Sequence, residues 1–203
     1  MKRRLSSRQF FDLLRTRTRR TARKVDAEIE ASSLVDLTVL AADSSGFTRK
    51  TNRYGILQFL TAMTRAYDRL IPLIERHGGV TLTNNADNIL AVFDEPVSAA
   101  RAAIAMHRLL ARVNHGLDDS EQFNICIGLH HGPLVRLRDN VYGATVNAAA
   151  KIGEDLAGRD EILVTRAVKD LIGKGFDVQY DRSAEVGGER IELYRLHYVR
   201  PSP

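Results

Sequence analysis

The sequence has 203 residues, of which 44% are hydrophobic and 27% are charged, a composition typical of one globular domain with a short extension. The one cysteine, Cys126, excludes an intrachain disulfide, so we expect a reducing, cytoplasmic setting. The apolar runs are short and interrupted by charged residues, so we expect neither a membrane span nor a secretory signal.

Positive charge is concentrated near the N-terminus. The net charge is +5, but residues 1–24 contain ten lysines and arginines against one aspartate, so the remaining residues carry a net charge of −4. Residues 1–32 are predicted to form a basic helical arm with a small apolar stripe. Such an arm can bind an anionic membrane surface, nucleic acid or a partner, or it can be a solvated or dimer-packing lead-in helix. Because Phe10 and Phe11 are its only aromatic residues, the lead-in helix is favoured, no nucleic-acid contact is expected, and membrane contact stays an alternative.

The body of the chain, residues 34–200, alternates between strand and helix patterns. In chain order the predicted elements are a buried strand Leu34–Ala42, a long helix over 56–74, a hairpin of strands Val80–Thr83 and Ile89–Phe93 around the turn 84–88, a helix over 99–113, a strand over 123–129 that turns at 130–133 into a partner strand Leu134–Leu137, a helix with its entry loop over 141–156, a strand 162–164, a short helix 168–172, and strands near 176–180 and 191–198. The order β-α-β-β-α-β with an additional α-β unit predicts an α+β, ferredoxin-like sandwich with additions.

Two acidic residues stand at the ends of predicted strands. Asp43 follows the first buried strand and precedes a glycine-containing turn, residues 44–48, and a helix. Such a turn presents backbone N–H groups and a positive helix end to a phosphate, although an aspartate in this position is also a common helix cap. The α-β-β order places Asp87 beside the same strand end. Two neighbouring carboxylates repel each other unless a cation lies between them, which favours a two-metal site for nucleotide chemistry.

Five motifs resemble the class III adenylyl/guanylyl cyclase homology domain over about residues 34–198. They are, in order, Ala42–Thr48, His77–Val80, Ala86–Phe93, Ile127–His130 with Gly132, and Tyr142–Asn147. The resemblance implies an enzyme that converts a nucleoside triphosphate to a 3′,5′-cyclic nucleotide and pyrophosphate. It also implies a head-to-tail homodimer with its active sites at the interface.

The resemblance further assigns metal and phosphate ligands. Asp43, Asp87 and the backbone carbonyl of Ser44 are expected to hold two Mg²⁺ or Mn²⁺ ions per site. One ion lowers the pKa of the ribose 3′-hydroxyl that attacks the α-phosphorus, and the other steadies the departing pyrophosphate. The triphosphate is expected to bind three backbone N–H groups, those of Gly46, Phe47 and Thr48.

Two residues are expected to act from the partner subunit. Asn147 is expected to orient the ribose. Lys151 stands four residues later, where the family usually carries an arginine that stabilises the transition state. Lysine keeps the charge but lacks the planar fork of arginine, so slower chemistry is expected.

Other positions depart from the family pattern. The base-reading lysine or glutamate is replaced by Thr83, and its companion is Asn140, with Asp139 beside it if the loop slips by one residue. Cys126 occupies a strand position that often carries a phosphate-binding arginine. The usual lysine near the glycine pair 187–188 has no clear match; the substitutes considered are Arg190, Arg49 and Lys50.

These departures permit three hypotheses. The threonine and asparagine can both donate and accept hydrogen bonds, which suits a pyrimidine, and the compact domain is similar to the pyrimidine cyclases of bacterial antiphage systems, which make cUMP or cCMP. The second hypothesis is an adenylate cyclase with atypical base-reading residues. The third is a domain that has lost activity and persists as a nucleotide-binding or dimerising regulator. Because both aspartates are present and cost stability when unpaired, an active cyclase is favoured.

Overall fold

The computed structural model describes residues 4–83 and 87–198. Its helices are α1 Ser7–Arg15, α2 Ala22–Ser33, α3 Phe47–Tyr54, α4 Ile56–Arg76, α5 Pro96–Asn114, α6 Ala144–Lys151 and α7 Arg166–Ile172, with a π-helix Ile152–Leu156 and a 3₁₀-helix Gly173–Gly175. Its strands are β1 Leu34–Ser44, β2 Val80–Thr83, β3 Asn88–Phe93, β4 Ile125–Arg136, β5 Val141–Tyr142, β6 Ile162–Thr165, β7 Val178–Val186 and β8 Glu189–Leu196. The predicted α+β class is confirmed. No described helix is long and apolar enough to cross a membrane.

One sheet contains all eight strands. Its order is β2-β3-β1-β4-β6-β8-β7, and β5 pairs with β4 outside this path. The pairs β2–β3, β3–β1 and β1–β4 are all antiparallel, with β1 between β3 and β4, which is the arrangement of a ferredoxin-like βαββαβ unit. β6 pairs with β4 in parallel and begins the predicted addition. Because β1 is central, the residue at its end lies between the first residues of β3 and β4.

Helices cover both faces of the sheet. Alternate residues of β1 point to opposite faces, so Leu40 packs with the buried residues of α4 and α5, whereas Val39 packs with Ala149 of α6. Each fully buried leucine or isoleucine stabilises the fold by roughly 1.5–3 kcal/mol relative to an exposed one. The packing of α6 on the Val39 face of the sheet thus fixes the end of β1 relative to α6.

Two glycines allow α6 and the π-helix to lie directly on the sheet. A Cβ at Gly128 of β4 would lie 2.5 Å from the carbonyl oxygen of Ala149 and 2.5 Å from the nitrogen of Gly153. A Cβ at Gly153 would lie 2.6 Å from the carbonyl oxygen of Ala41 in β1. Backbone atoms cannot move aside cheaply, so any larger residue at these glycines would push the helix away from the strands.

The predicted turn at 130–133 is wrong, because β4 continues through it. His131 pairs with Thr38 and Pro133 with Asp36, so the long β1 strand supplies partners along the whole of β4. Proline is tolerated here because β6 pairs only with Ile127–Leu129, which leaves this stretch of β4 unpaired on that side. The chain reverses after β4 instead, where Leu137 N donates to Asn140 O at 2.8 Å, and β5 is the short return strand.

The arm is two helices, not the single helix that was predicted. The break after α1 is closed by local hydrogen bonds, among them Thr21 Oγ1 to Thr16 O at 2.6 Å. Phe10 of α1 and Ile29 of α2 are buried with Leu137, the residue that follows β4. The arm therefore packs on the domain that it precedes.

Candidate active site

Asp43 and Asp87 meet at the end of β1. Asp43 pairs with Asn88, the first residue of β3, and Asp87 directly precedes that residue. Ser44 Oγ donates to Asp87 Oδ2 at 2.6 Å. Burial, and next the negative charge of Asp87, raise the pKa of the Asp43 carboxyl to about 6. The structure thus brings the two predicted aspartates together, and their like charges repel each other.

Side chains that the sequence did not single out as functional also border this pair. Glu154 and Asp155 of the π-helix each add to the rise in the pKa of Asp43. Burial and the two aspartates raise the pKa of the Tyr67 hydroxyl on α4, so Tyr67 stays neutral. Tyr67 is buried in the main core, where it packs with apolar residues. The sequence offered one signal for Glu154 and Asp155. They are two adjacent acidic residues, three and four positions after Lys151.

The donor set fits a hard divalent cation. Carboxylate and carbonyl oxygens are the ligands that Mg²⁺ prefers, and the raised pKa of Asp43 reports a repulsion that a cation would remove. Within residues 4–83 and 87–198, no group of three or more histidine, cysteine, aspartate or glutamate side chains is arranged to hold a metal alone. The remaining ligands of an ion at Asp43 and Asp87 would come from backbone, water or a bound phosphate, as is usual for Mg²⁺.

The turn after Asp43 is suited to an anion. Gly46 has φ +87°, the left-handed conformation that glycine adopts easily, and α3 begins at the next residue. The first N–H groups of a helix have no acceptor within that helix, so those near Gly46, Phe47 and Thr48 can serve a ligand. The preceding N–H, of Ser45, donates to Asn124 O at 2.8 Å and fixes the turn to the residue before β4.

Two proposed substitutes for a phosphate-binding lysine are held by the loop between α5 and β4. Arg49 donates to both carboxylate oxygens of Asp119, at 2.8 and 3.1 Å. The Lys50 side chain is buried, and its ammonium donates to the carbonyls of Asp119 and Gln122. Tyr54 OH also donates to Asp119, at 3.1 Å. These contacts anchor α3, and they do not support Lys50 as a phosphate ligand.

Asn147 and Lys151 lie one turn apart on the exposed side of α6. Lys151 Nζ pairs with Asp155 Oδ2 at 2.5 Å, so within this chain its charge is directed at the acidic pair of the π-helix. Asn147 is exposed. Both side chains are therefore open to a second molecule.

The predicted base-reading positions lie in separate elements. Asn140 precedes β5 and is half-buried; its Nδ2 donates to Tyr142 OH at 3.1 Å, and its Oδ1 accepts from Val141 N at 2.8 Å. Thr83 is the last residue of β2, whose backbone pairs with β3. The middle of the predicted turn, 84–86, lies outside the described residues.

Three side chains of β4 that could suggest reactivity or metal binding are held by packing or hydrogen bonds. Cys126 is buried, and burial raises the pKa of its thiol to about 11, which is typical of a packed rather than a reactive cysteine. His130 shares a hydrogen bond with Thr165 and His131 shares one with Thr38, on opposite faces of the sheet, so the two rings cannot chelate one ion.

The fold is a ferredoxin-like sheet that places two carboxylates beside a turn suited to a phosphate, as in a nucleotide-cyclising catalytic domain. The family described as the adenylate and guanylate cyclase catalytic domain matches residues 29–198, and the chain belongs to that family. Its members are nucleotidyl cyclase domains of the adenylyl or guanylyl type.

Individual relatives are distant. "Putative adenylate cyclase 3" of Rhizobium meliloti (strain 1021) is 25% identical over 142 residues, which cover 70% of this chain and 24% of that protein. "Serine/threonine-protein kinase pkn2" of Myxococcus xanthus is 29% identical over 177 residues, which cover 83% of this chain and 20% of that protein. The chain thus spans a quarter or less of the length of these curated relatives.

Solved structures share the fold. The guanylyl cyclase Cya2 has a TM-score of 0.72 at 21% identity, with 80% of this chain and 92% of that chain covered. The adenylyl cyclase CyaB from P. aeruginosa has a TM-score of 0.73 at 18% identity, with 82% and 96% covered. At such identities the likeness establishes the fold.

Proposed function

We propose that this chain is an active, metal-dependent nucleotidyl cyclase that converts a nucleoside triphosphate to a 3′,5′-cyclic nucleotide and pyrophosphate. The observation that carries the proposal is the repulsion between the carboxylates of Asp43 and Asp87, which lie beside the turn at Gly46. A domain without catalysis has no physical use for two opposed carboxylates, because they destabilise the fold unless a cation joins them. The buried, unreactive Cys126 is consistent with a reaction in the reducing cytoplasm.

One set of residues in this chain is proposed to bind the metal ions, and another set is proposed to bind the triphosphate. Asp43, Asp87 and the carbonyl of Ser44 would hold two Mg²⁺ or Mn²⁺ ions, and such ions would supply the positive charge for activation of the 3′-hydroxyl and for the leaving pyrophosphate. The N–H groups at the start of α3 orient the triphosphate, so that the 3′-oxygen attacks the α-phosphorus opposite the bond that breaks. Asp119 keeps α3 in place in two ways. Its carboxylate accepts from Arg49, and its backbone carbonyl accepts from the buried Lys50.

The other half of each site comes from a second copy of the chain. Asn147 orients the ribose, and Lys151 exchanges its contact with Asp155 for the charge that develops at the α-phosphate. A homodimer is further supported by exposed apolar side chains beside the phosphate turn. Their exposed fractions are 38% for Phe47, 47% for Ile56, 77% for Leu57 and 37% for Leu60. Adjacent exposed apolar residues of this kind are typical of surfaces that association covers.

The base is assigned to Thr83 and Asn140. A threonine hydroxyl and an asparagine amide each donate and accept, which suits the O2, N3 and O4 or N4 edge of UTP or CTP. The family relationship supports a cyclase of the adenylyl or guanylyl type, so ATP with atypical base contacts is the alternative. The pyrimidine product, and with it a role of cUMP or cCMP in antiviral defence, stays a prediction that depends on these two residues.

Product formation tests the reaction and the base together. The protein is incubated with Mn²⁺ and each of ATP, GTP, CTP and UTP, and cyclic products are identified by mass spectrometry. We expect one nucleotide to be cyclised and Asp43→Asn to abolish the product. The matched control is Asp36→Asn, which removes an exposed carboxylate at the other end of β1. No product from any nucleotide, with nucleotide binding intact, would refute catalysis and leave a nucleotide-binding regulator.

Complementation tests the shared site. Asp43→Asn and Asn147→Ala are each expected to be inactive alone, because each destroys both sites of a homodimer. Mixed in equal amounts, they should recover about a quarter of the wild-type activity, since half of the dimers are mixed and each mixed dimer has one intact site. Absence of recovery, with subunit exchange shown by labelled protein, contradicts a site built from two chains.

A further inference from the structure

Helix α1 of the basic arm lies against the loop that carries Asp139 and Asn140. Arg138 N donates to Leu5 O at 2.9 Å, just before the helix. Both the backbone N–H and the hydroxyl of Ser7 donate to Asp139 Oδ1, each at 2.9 Å. The helix start is itself well formed, since Ser6 and Gln9 make a reciprocal capping box. Asp139 is therefore bound to a rigid helix end.

The same helix holds Asn140 through an aromatic residue. The ring of Phe10 stacks on Tyr142 with centroids 6.0 Å apart, and the edge contact of Phe11 with Tyr142 has centroids 5.8 Å apart. Tyr142 OH accepts the hydrogen bond from Asn140 Nδ2. The orientation of the Asn140 amide thus depends on a tyrosine that α1 encloses from two sides.

The two loop residues offer different chemistry to a nucleotide base. Asn140 can donate and accept hydrogen bonds, whereas the carboxylate of Asp139 only accepts. A carboxylate would favour a base with an exocyclic amino group, N4 of cytosine or N6 of adenine. Which residue faces the base therefore influences which base is bound.

We propose that the N-terminal arm determines nucleotide selectivity, with Ser7 and Phe11 as positioning residues that retain Asp139 at α1 and present Asn140 to the base. The inference rests on the proposed function, because that function places the base at this loop. It gives the arm a role within the site in place of a membrane or nucleic-acid contact.

The test compares Ser7→Ala and Phe11→Ala with a control on the same helix. Arg8→Ala is the control, because the Arg8 side chain is 93% exposed and its ion pair with Asp12 is long, at 3.9 Å. Hydrogen exchange of the amides at 137–142 measures whether the loop loosens. The ratio of kcat/KM for CTP to that for UTP measures selectivity, since these bases differ in an amino group against a carbonyl.

We expect faster exchange at 137–142 in both variants. Ser7→Ala should shift the ratio about threefold to tenfold toward CTP, the range that loss of one hydrogen bond produces. Phe11→Ala removes the edge contact with Tyr142 but leaves the hydrogen bonds of Ser7 to Asp139, so its shift toward CTP should be smaller. Ser7→Thr, which keeps both donors, should restore the wild-type ratio. Adding Asp139→Ala to Ser7→Ala should cancel the shift, because the freed carboxylate is its cause.

Two results would overturn the inference. One is unchanged exchange at 137–142 in both variants. The other is faster exchange in Ser7→Ala with a CTP:UTP ratio within twofold of wild type, which would reduce α1 to a structural support. If the wild-type protein cyclises none of the four nucleotides, the proposed function fails, and the ratio of equilibrium dissociation constants for CTP and UTP then decides the inference separately.

Discussion

Replacement of Asp43 by asparagine is expected to stabilise the metal-free protein while it destroys the site. The pKa of Asp43 is about 6 in the fold against an ordinary 3.8, so the ionised carboxylate destabilises the folded state by about 3 kcal/mol. The carboxyl is partly open to water, and solvent screening leaves about 1–2 kcal/mol of this destabilisation. Asparagine keeps an oxygen for the Ser44 N–H and carries no charge.

The pH dependence follows from the direction of the shift. The pKa of Asp43 is higher in the folded state than in the unfolded state. The destabilisation of the folded state by its carboxylate is therefore absent below about pH 4, grows as the pH rises toward 6, and is complete above about pH 6. The advantage of Asp43→Asn should therefore be greatest at pH 7.5 and vanish near pH 4. For a domain of this size, about 1–2 kcal/mol corresponds to a rise in Tm of about 2–8 °C.

The assay is thermal unfolding in a chelator at pH 7.5 and pH 4.5, followed by titration with Mn²⁺ at pH 7.5. The divalent ion should raise the Tm of the wild-type protein and leave that of Asp43→Asn almost unchanged, since only the former binds it tightly. Asp36→Asn controls for the loss of any carboxylate from β1. An Asp43→Asn protein that melts at or below the wild-type temperature at pH 7.5 would refute the reasoning about opposed carboxylates.

Three further substitutions examine the supports of the site. Gly128→Ala should destabilise the fold by about 2–3 kcal/mol in denaturant titrations, because its Cβ would meet the backbone of α6, whereas Gly175→Ala, with open space around it, should be nearly neutral. Lys151→Arg should raise kcat by about threefold or more in steady-state assays, because the planar fork binds two phosphate oxygens; an unchanged or lower kcat would contradict its role. Asp119→Ala should raise KM for the nucleotide about threefold to tenfold with a smaller change in kcat, by loosening α3, and Asp118→Ala is the matched control.

The sequence was sufficient for the carboxylate pair because that pair depends on local patterns. A buried strand that ends at Asp43 and a hairpin that contains Asp87 are each visible within about ten residues. The α-β-β order then leaves few ways to place the hairpin beside the strand. The ferredoxin-like order, the two long helices and the family followed from the same local signals.

The errors lie where the outcome depends on distant partners. The residues at 130–133, with a glycine and a proline, read locally as a turn, but β1 is long enough to keep them in the sheet. The arm showed a continuous basic helix, and only the burial of Phe10 and Ile29 on the domain explains where it breaks and docks. The acidic residues of the π-helix were missed because their proximity to Asp43 depends on the close approach of Gly128 and Gly153.

The distribution of charge at the site is consistent with the proposal that it binds divalent ions and a second chain. Asp43, Asp87, Glu154 and Asp155 are close enough that three of them raise the pKa of the first. In the described part of the chain, Lys151 forms its ion pair with Asp155. Its positive charge therefore does not neutralise the carboxylates of Asp43 and Asp87. Divalent ions at Asp43 and Asp87 would neutralise this surplus and so weaken the competition of the acidic residues for the partner's lysine. Metal binding and assembly of the transition-state contacts are thus expected to favour each other, with the triphosphate as the bridge between them.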